Sequence, residues 1–136
     1  MVMEQRLDVR LRRKIMPTPS GHTIAIKSSR VVGTNVYNTG GEKIGTIEDI
    51  VLDKLSPRIM FAVISFGGFL GIGEKYHAVP WALLDFQEDK GGYVVPLTRE
   101  VLEKAPVYDM EDLIADDGMQ ARKEAYDYYR VKTDWH

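Results

Sequence analysis

Residues capable of chemistry are few in this chain, and their spacing fits no reaction well. The glycine loop Gly67-Gly68-Phe69-Leu70-Gly71-Ile72-Gly73 is the first candidate, because clustered backbone N–H groups can cradle an anion. Gly68 and Gly73 have the spacing of a P-loop, but Glu74 stands where the lysine belongs and Tyr76 follows Lys75. A carboxylate there repels phosphate. The dinucleotide fingerprint fails too, since Gly71-Ile72-Gly73 runs into Glu74-Lys75-Tyr76 without a third glycine. His22, His77 and His136 lack any paired-ligand spacing, and His77, between Tyr76 and Ala78, is expected to be a partly buried, hydrogen-bonded strand residue. Glu48, Asp49 and Asp53 read as a solvated rim, and Asp116-Asp117-Gly118 lacks the alternating ligands and terminal Glu of a calcium loop. Ser65 has no nucleophile elbow around it. No cysteine is present, which removes disulfides, thiolate metal sites and cysteine nucleophiles. These residues imply neither catalysis nor a cofactor or metal.

What must hold any site is a β-rich body. Arg58 to Phe66 is apolar at nearly every position, with Ile59, Phe61, Val63, Ile64 and Phe66 β-branched or aromatic, as in a strand buried on both faces. After the glycine loop, Glu74 to Val79 alternates as a second strand before Pro80 and Trp81, and Trp81 is expected to anchor the core. Upstream, Val31 to Tyr37 reads as a strand with a bulge or close approach at Gly33. A glycine turn follows at Asn38 to Glu42. The uneven spacing of Ile44, Ile47 and Ile50 makes Lys43 to Leu52 a bulged strand. Ala82 to Gln87 continues or follows the second hairpin strand, and Tyr93 to Pro96 is the last strand. Six strand signals bounded by glycine or proline point to a barrel. Thr98 then caps a short helix over residues 99–104, a second is expected over 109–115, and residues 119–129 carry Arg122, Tyr126 and Tyr129 along one stripe.

Length and composition set the limits. The 136 residues, 44% hydrophobic, suit one packed domain with extensions. No apolar run reaches the roughly 20 residues of a membrane span, and the N-terminus lacks a secretory apolar core, so a cytoplasmic location is expected. The net charge of −2 conceals an asymmetry: residues 1–30 hold seven basic and two acidic side chains, and the remainder holds 11 and 18. Within the basic arm, Leu7, Val9 and Leu11 alternate as in a strand, while Met3, Leu7, Leu11 and Ile15 recur as on a helix face. Both readings stay open. Pro17-Thr18-Pro19-Ser20-Gly21 makes an extended linker. At the other end, Tyr126, Tyr128, Tyr129 and Trp135 put four of the chain's 13 aromatics in its last eleven residues, which implies that this tail docks on something.

From Val31 to Tyr108 the chain resembles the PRC-barrel family, named for the cytoplasmic domain of the photosynthetic reaction centre H subunit. The likeness is carried by Val32-Gly33 before Val36-Tyr37, by Gly41 to Gly45 with Ile47 and Asp49, and by Phe66 to Lys75 leading to Val79-Pro80-Trp81. The Tyr93 to Pro96 strand and Ala105-Pro106-Val107-Tyr108 also fit. The resemblance implies a mainly β fold, a small PRC-type β-barrel of about six strands with short C-terminal helices, and it implies no catalytic residues. The chain is most similar to small stand-alone bacterial members.

The expected organisation is a basic arm and linker over 1–27, the barrel over 28–108, and a helical, aromatic-rich extension over 109–136. The expected role is a non-catalytic protein-interaction or assembly module, acting as a homodimer and on an unidentified protein partner. Its contact surface is assigned to Phe69, Leu70 and Ile72 with Tyr126, Tyr129 and Trp135. The alternative is an RNA- or ribosome-associated factor that meets phosphates through Arg10, Arg12, Arg13 and Lys14.

Overall fold

The computed structural model of the protein describes residues 25–66 and 75–132. Its longest ladder pairs β2 (Lys43–Leu52) antiparallel with β3 (Ile59–Ser65). The register shifts between Ile47 and Asp49 and again between Val51 and Leu52, so the uneven isoleucine spacing does correspond to a bulged strand. On either side lie β1 (Asn35–Tyr37), antiparallel to β2, and β4 (His77–Val79), antiparallel to β3. A second hairpin, β5 (Asp85–Gln87) and β6 (Gly92–Val94), joins the sheet where β6 runs parallel to β1.

The strand order is β4-β3-β2-β1-β6-β5, a six-stranded mixed sheet that is not closed by hydrogen bonds. Every strand nevertheless contributes to one inner cluster. Val36, Ile44, Ile47, Ala62, Ile64, Val79, Tyr93 and Val95 are buried in it, Phe86 of β5 packs against it, and Val31 and Leu102 close it from short helices. The fold is therefore mainly β and consistent with a small PRC-type barrel. Gly45 belongs here for a steric reason: a Cβ at that position would strike the Ser65 carbonyl oxygen and the Phe66 ring across the ladder.

Strand β3 is buried on both faces. Ala62 and Ile64 point into the inner cluster, while Phe61 and Val63 point the other way. There they meet Tyr76 and Ala78 from the β4 side, and Leu113, Ala121 and Ala125 from the C-terminal helices. Because alternate strand residues face opposite sides, the continuous apolar run of β3 requires a second layer to cover its outer face.

That layer is α3 (Met110–Ile114) and α4 (Met119–Tyr129). Asp109 caps α3 by accepting from the Asp112 N–H at 3.0 Å. Gly118, at φ +74°, turns the chain into α4 over Met60 and Phe61, in the left-handed conformation that glycine adopts without strain. The earlier α2 (Arg99–Glu103) starts at Thr98, whose hydroxyl accepts from the Val101 N–H at 3.2 Å, as its sequence position predicts.

Two local expectations are corrected and one open alternative is decided. Residues 31–37 are not one strand: Ser28–Val31 forms a helical turn, α1, and Gly33 at φ +92° reverses the chain before β1 begins at Asn35. The Thr34 hydroxyl, donating to the Val31 carbonyl at 2.7 Å, holds that turn against the β-propensity of the two valines. Trp81 is half-buried in a 3₁₀ turn (Trp81–Leu83), packed on the rim of the inner cluster with its ring 5.4 Å from that of Tyr93. Tyr93 occupies the deeper position. The segment after Trp81, expected to continue or follow β4, follows it: it pairs with β6 and does not prolong β4.

Candidate interaction surface

The site starts from the α4 stripe. Arg122, Tyr126 and Tyr129 are four and three residues apart, so they share one helical face, and that face lies against the barrel. Arg122 is 5% exposed. One guanidinium nitrogen lies 3.9 Å from Asp53 Oδ2, and the other lies 3.2 Å from Met119 Sδ. Asp53 sits where β2 turns towards β3. Its other carboxylate oxygen accepts from the Leu55 N–H at 2.8 Å, and its own N–H donates to the Arg58 carbonyl at 3.0 Å. Hydrogen bonds from the Leu55 N–H and from Ser56 hold the Asp53 carboxyl below the usual carboxylate range, with the Arg122 guanidinium adding a smaller pull. The tip of the β2–β3 hairpin is thus fixed on itself and tied to α4.

This anchored tip presents apolar side chains to solvent. Leu55 is 98% exposed and Leu52 is 62% exposed. On the helical layer, Ile114 and Met119 at either end of the α3–α4 turn are each about half exposed. Single exposed leucines are ordinary on a protein surface. Two on a restrained hairpin form an apolar patch of the kind that proteins use for contact.

Tyr126 and Tyr129, assigned to a contact surface by the sequence, face the chain's own barrel. Tyr126 is buried, and its hydroxyl donates to the Met60 carbonyl at 3.2 Å. Tyr129 is half-buried between the two apolar clusters, and its hydroxyl meets no hydrogen-bond partner among the described residues. Burial pushes that phenol well above its ordinary range, with Tyr128 and Tyr108 adding to the shift. Both rings are spent on intramolecular packing, which is the docking that an aromatic-rich tail implies. Phe69, Leu70, Ile72 and Trp135 lie outside the described residues, as do Arg10, Arg12, Arg13 and Lys14.

Other polar groups hold the layers together. The Tyr108 hydroxyl donates to the Glu124 carboxylate, and the Tyr128 hydroxyl donates to the Val101 carbonyl at 2.6 Å. His77 is buried with its ring 4.4 Å from that of Phe66, and desolvation lowers its pKa to about 4 despite a hydrogen bond with the Pro106 backbone. It sits in the core as the neutral imidazole. Among the described residues no three His, Asp or Glu side chains gather into a set that could hold a metal ion. Asp49 turns its carboxylate back to accept from the Ile50 N–H at 2.8 Å. Sequence reasoning missed Asp53 as the partner of Arg122 and missed the exposed Leu52 and Leu55. The stripe containing Arg122 was visible, but its partner lies 69 residues away in the chain, and no local pattern spans that gap.

A curled six-stranded sheet around one apolar core, with a helical layer on its outer face, defines a small barrel-type domain. The chain belongs to the PRC-barrel domain family, whose model matches residues 24–102, a span that takes in all six strands. No curated protein matches it. No helix among the described residues is long and apolar enough to cross a membrane.

Proposed function

We propose that this PRC-barrel protein works without catalysis, as a protein-interaction or assembly module that pairs with a second copy of itself. The observation that carries this reading is the anchored β2–β3 tip, which holds Leu55 almost fully in solvent beside Leu52. Leaving two such side chains in water forgoes about 1.5 to 3 kcal/mol each relative to full burial. A two-fold contact recovers that twice over, because each favourable pair recurs across the axis. The glycine-flanked Phe69, Leu70 and Ile72 belong to the same proposal as a second apolar contribution.

Light scattering coupled to size exclusion tests it at tens of micromolar. The parent is expected to run as a dimer, and Leu52→Ser with Leu55→Ser is expected to run as a monomer with an unchanged melting temperature. A monomeric parent defeats the homodimer. A dimer that withstands this variant but yields to Phe69→Ser with Leu70→Ser moves the contact to the glycine loop.

A further inference from the structure

We propose that the surface of α3 and the α3–α4 turn is the docking site of the chain's own basic arm, residues 3–15. Asp109, Glu111, Asp112, Asp116 and Asp117 fall within nine consecutive residues that contain no basic side chain, and all five are exposed. Elsewhere on the body, Glu42 binds Arg99 at 3.0 Å, Asp127 binds Lys123 at 2.9 Å, and Asp53 lies 3.9 Å from Arg122. Around α3 the carboxylates crowd one another instead. A hydrogen bond with Asp109 and the repulsion of its charge raise the Asp112 carboxyl, offset only in part by Lys75. Within this acidic field lie two apolar side chains in contact with solvent, Ile114 and Met119. Glu111 and Ile114, three residues apart on α3, are neighbours on its outward face, so acidic and apolar groups alternate on one surface.

The arm has the complementary pattern. Arg6, Arg10, Arg12, Arg13 and Lys14 accompany Met3, Leu7, Leu11 and Ile15. The reach is sufficient. Residues 16–24 lie between the arm and the described body, and nine extended residues span about 30 Å. That is comparable with the width of a domain whose radius of gyration is about 13 Å. The tether makes the contact intramolecular, so even weak individual ion pairs act at a high effective concentration. This docking is independent of self-association through Leu52 and Leu55.

Paramagnetic broadening on the full chain tests the proposal. Because the native chain has no cysteine, Val9→Cys accepts a single spin label. Amide signals of Glu111, Ile114, Asp117 and Met119 are expected to lose their intensity, while those of the Asn38–Glu42 turn, at the far end of β2, keep theirs. Intensity is expected to return in Glu111→Lys with Asp117→Asn, and also at high salt, because screening shortens the reach of the charges. Asn is chosen because residue 117 has φ +62°, which asparagine tolerates. Unchanged signals for the rest of the sheet show that the variant is folded. Broadening that is uniform, or centred elsewhere, or indifferent to the charge reversal overturns the proposal. So does broadening that appears when isotope-labelled chains without spin label are mixed with spin-labelled chains without isotope, since the arm would then occupy a second copy.

Discussion

The two faces of β3 are buried by different means. Inward, Ala62 and Ile64 are covered by the other strands of their own sheet, whose backbones the ladder holds in register. Outward, Phe61 and Val63 are covered by helices that share no ladder with the sheet and are tied to it by one backbone bridge, Tyr76 with Tyr108, and otherwise by side chains. The inner face accordingly needs only apolar volume. The outer one needs, besides volume, a set of specific polar ties: Arg122 to Asp53, Tyr126 to the Met60 carbonyl, and Tyr108 to Glu124. Where the backbone fixes the geometry, side chains can be interchangeable hydrocarbons. Where it does not, side chains must supply the orientation as well.

The largest expected effects test whether both faces stabilise a single cooperative unit. Ile64→Ala and Phe61→Ala should each cost about 3 to 5 kcal/mol, from lost transfer energy and the cavity left behind. Chemical denaturation checks this, and hydrogen exchange separates the two. Ile64→Ala should accelerate exchange throughout the sheet, and Phe61→Ala should do so first in α3 and α4. Equal loss of protection everywhere in both variants would mean that the helical layer has no independence.

A pH titration probes the inner face at somewhat smaller magnitude. The His77 pKa is about 4 in the folded chain, against 6.5 for the unperturbed side chain. The unfolded chain therefore binds the extra proton first as pH falls. The stability contributed by a neutral His77 is complete above pH 6.5 and is lost progressively as pH drops towards 4, by about 2 to 3 kcal/mol. His77→Phe should flatten that segment of the stability profile. An equally steep profile in the variant would place the acid sensitivity in other groups.

Two tyrosines sharpen the comparison with effects of opposite sign. Tyr126→Phe removes a hydrogen bond to the Met60 carbonyl and should destabilise by about 1 kcal/mol. Tyr129→Phe removes a buried hydroxyl that has no partner among the described residues, and should stabilise by about 1 kcal/mol. Thermal melts of the pair are sufficient. Destabilisation in both would show that the Tyr129 hydroxyl is satisfied by water or by a residue beyond those described.

The inner face was far more legible in the sequence than the outer. The run from Ile59 to Phe66 announced a doubly buried strand, the isoleucine spacing announced the bulges in β2, and the extent of α4 followed from residues 119–129. These are local signals, read from periodicity and breakers. The extent of β1 was not legible, because Val31 and Val32 favour a strand until Gly33 and the Thr34 hydroxyl impose a turn. Nor was the depth of Trp81. Its position after Val79 and Pro80 suggested a central ring, but a 3₁₀ turn carries it to the rim and leaves the centre to Tyr93. The contact patch was hidden for a related reason. Leu52 and Leu55 have the composition of core residues, and only the tertiary course of the hairpin shows that they stand exposed among the described residues.

The parallel pairing of β1 with β6 bears on the order in which this chain can acquire its structure. Val36 meets Tyr93 and Tyr37 meets Val94, contacts that close a loop of more than fifty residues. Neighbours in sequence make the β2–β3 and β5–β6 hairpins, so those can form early at little entropic cost. The seam between β1 and β6 has to wait for both. Until it forms, the edges of β1 and β6 carry unpaired backbone groups on apolar strands, the state in which one chain is most exposed to pairing with another. The step that completes the sheet thus also withdraws these two inner edges from pairing with another chain.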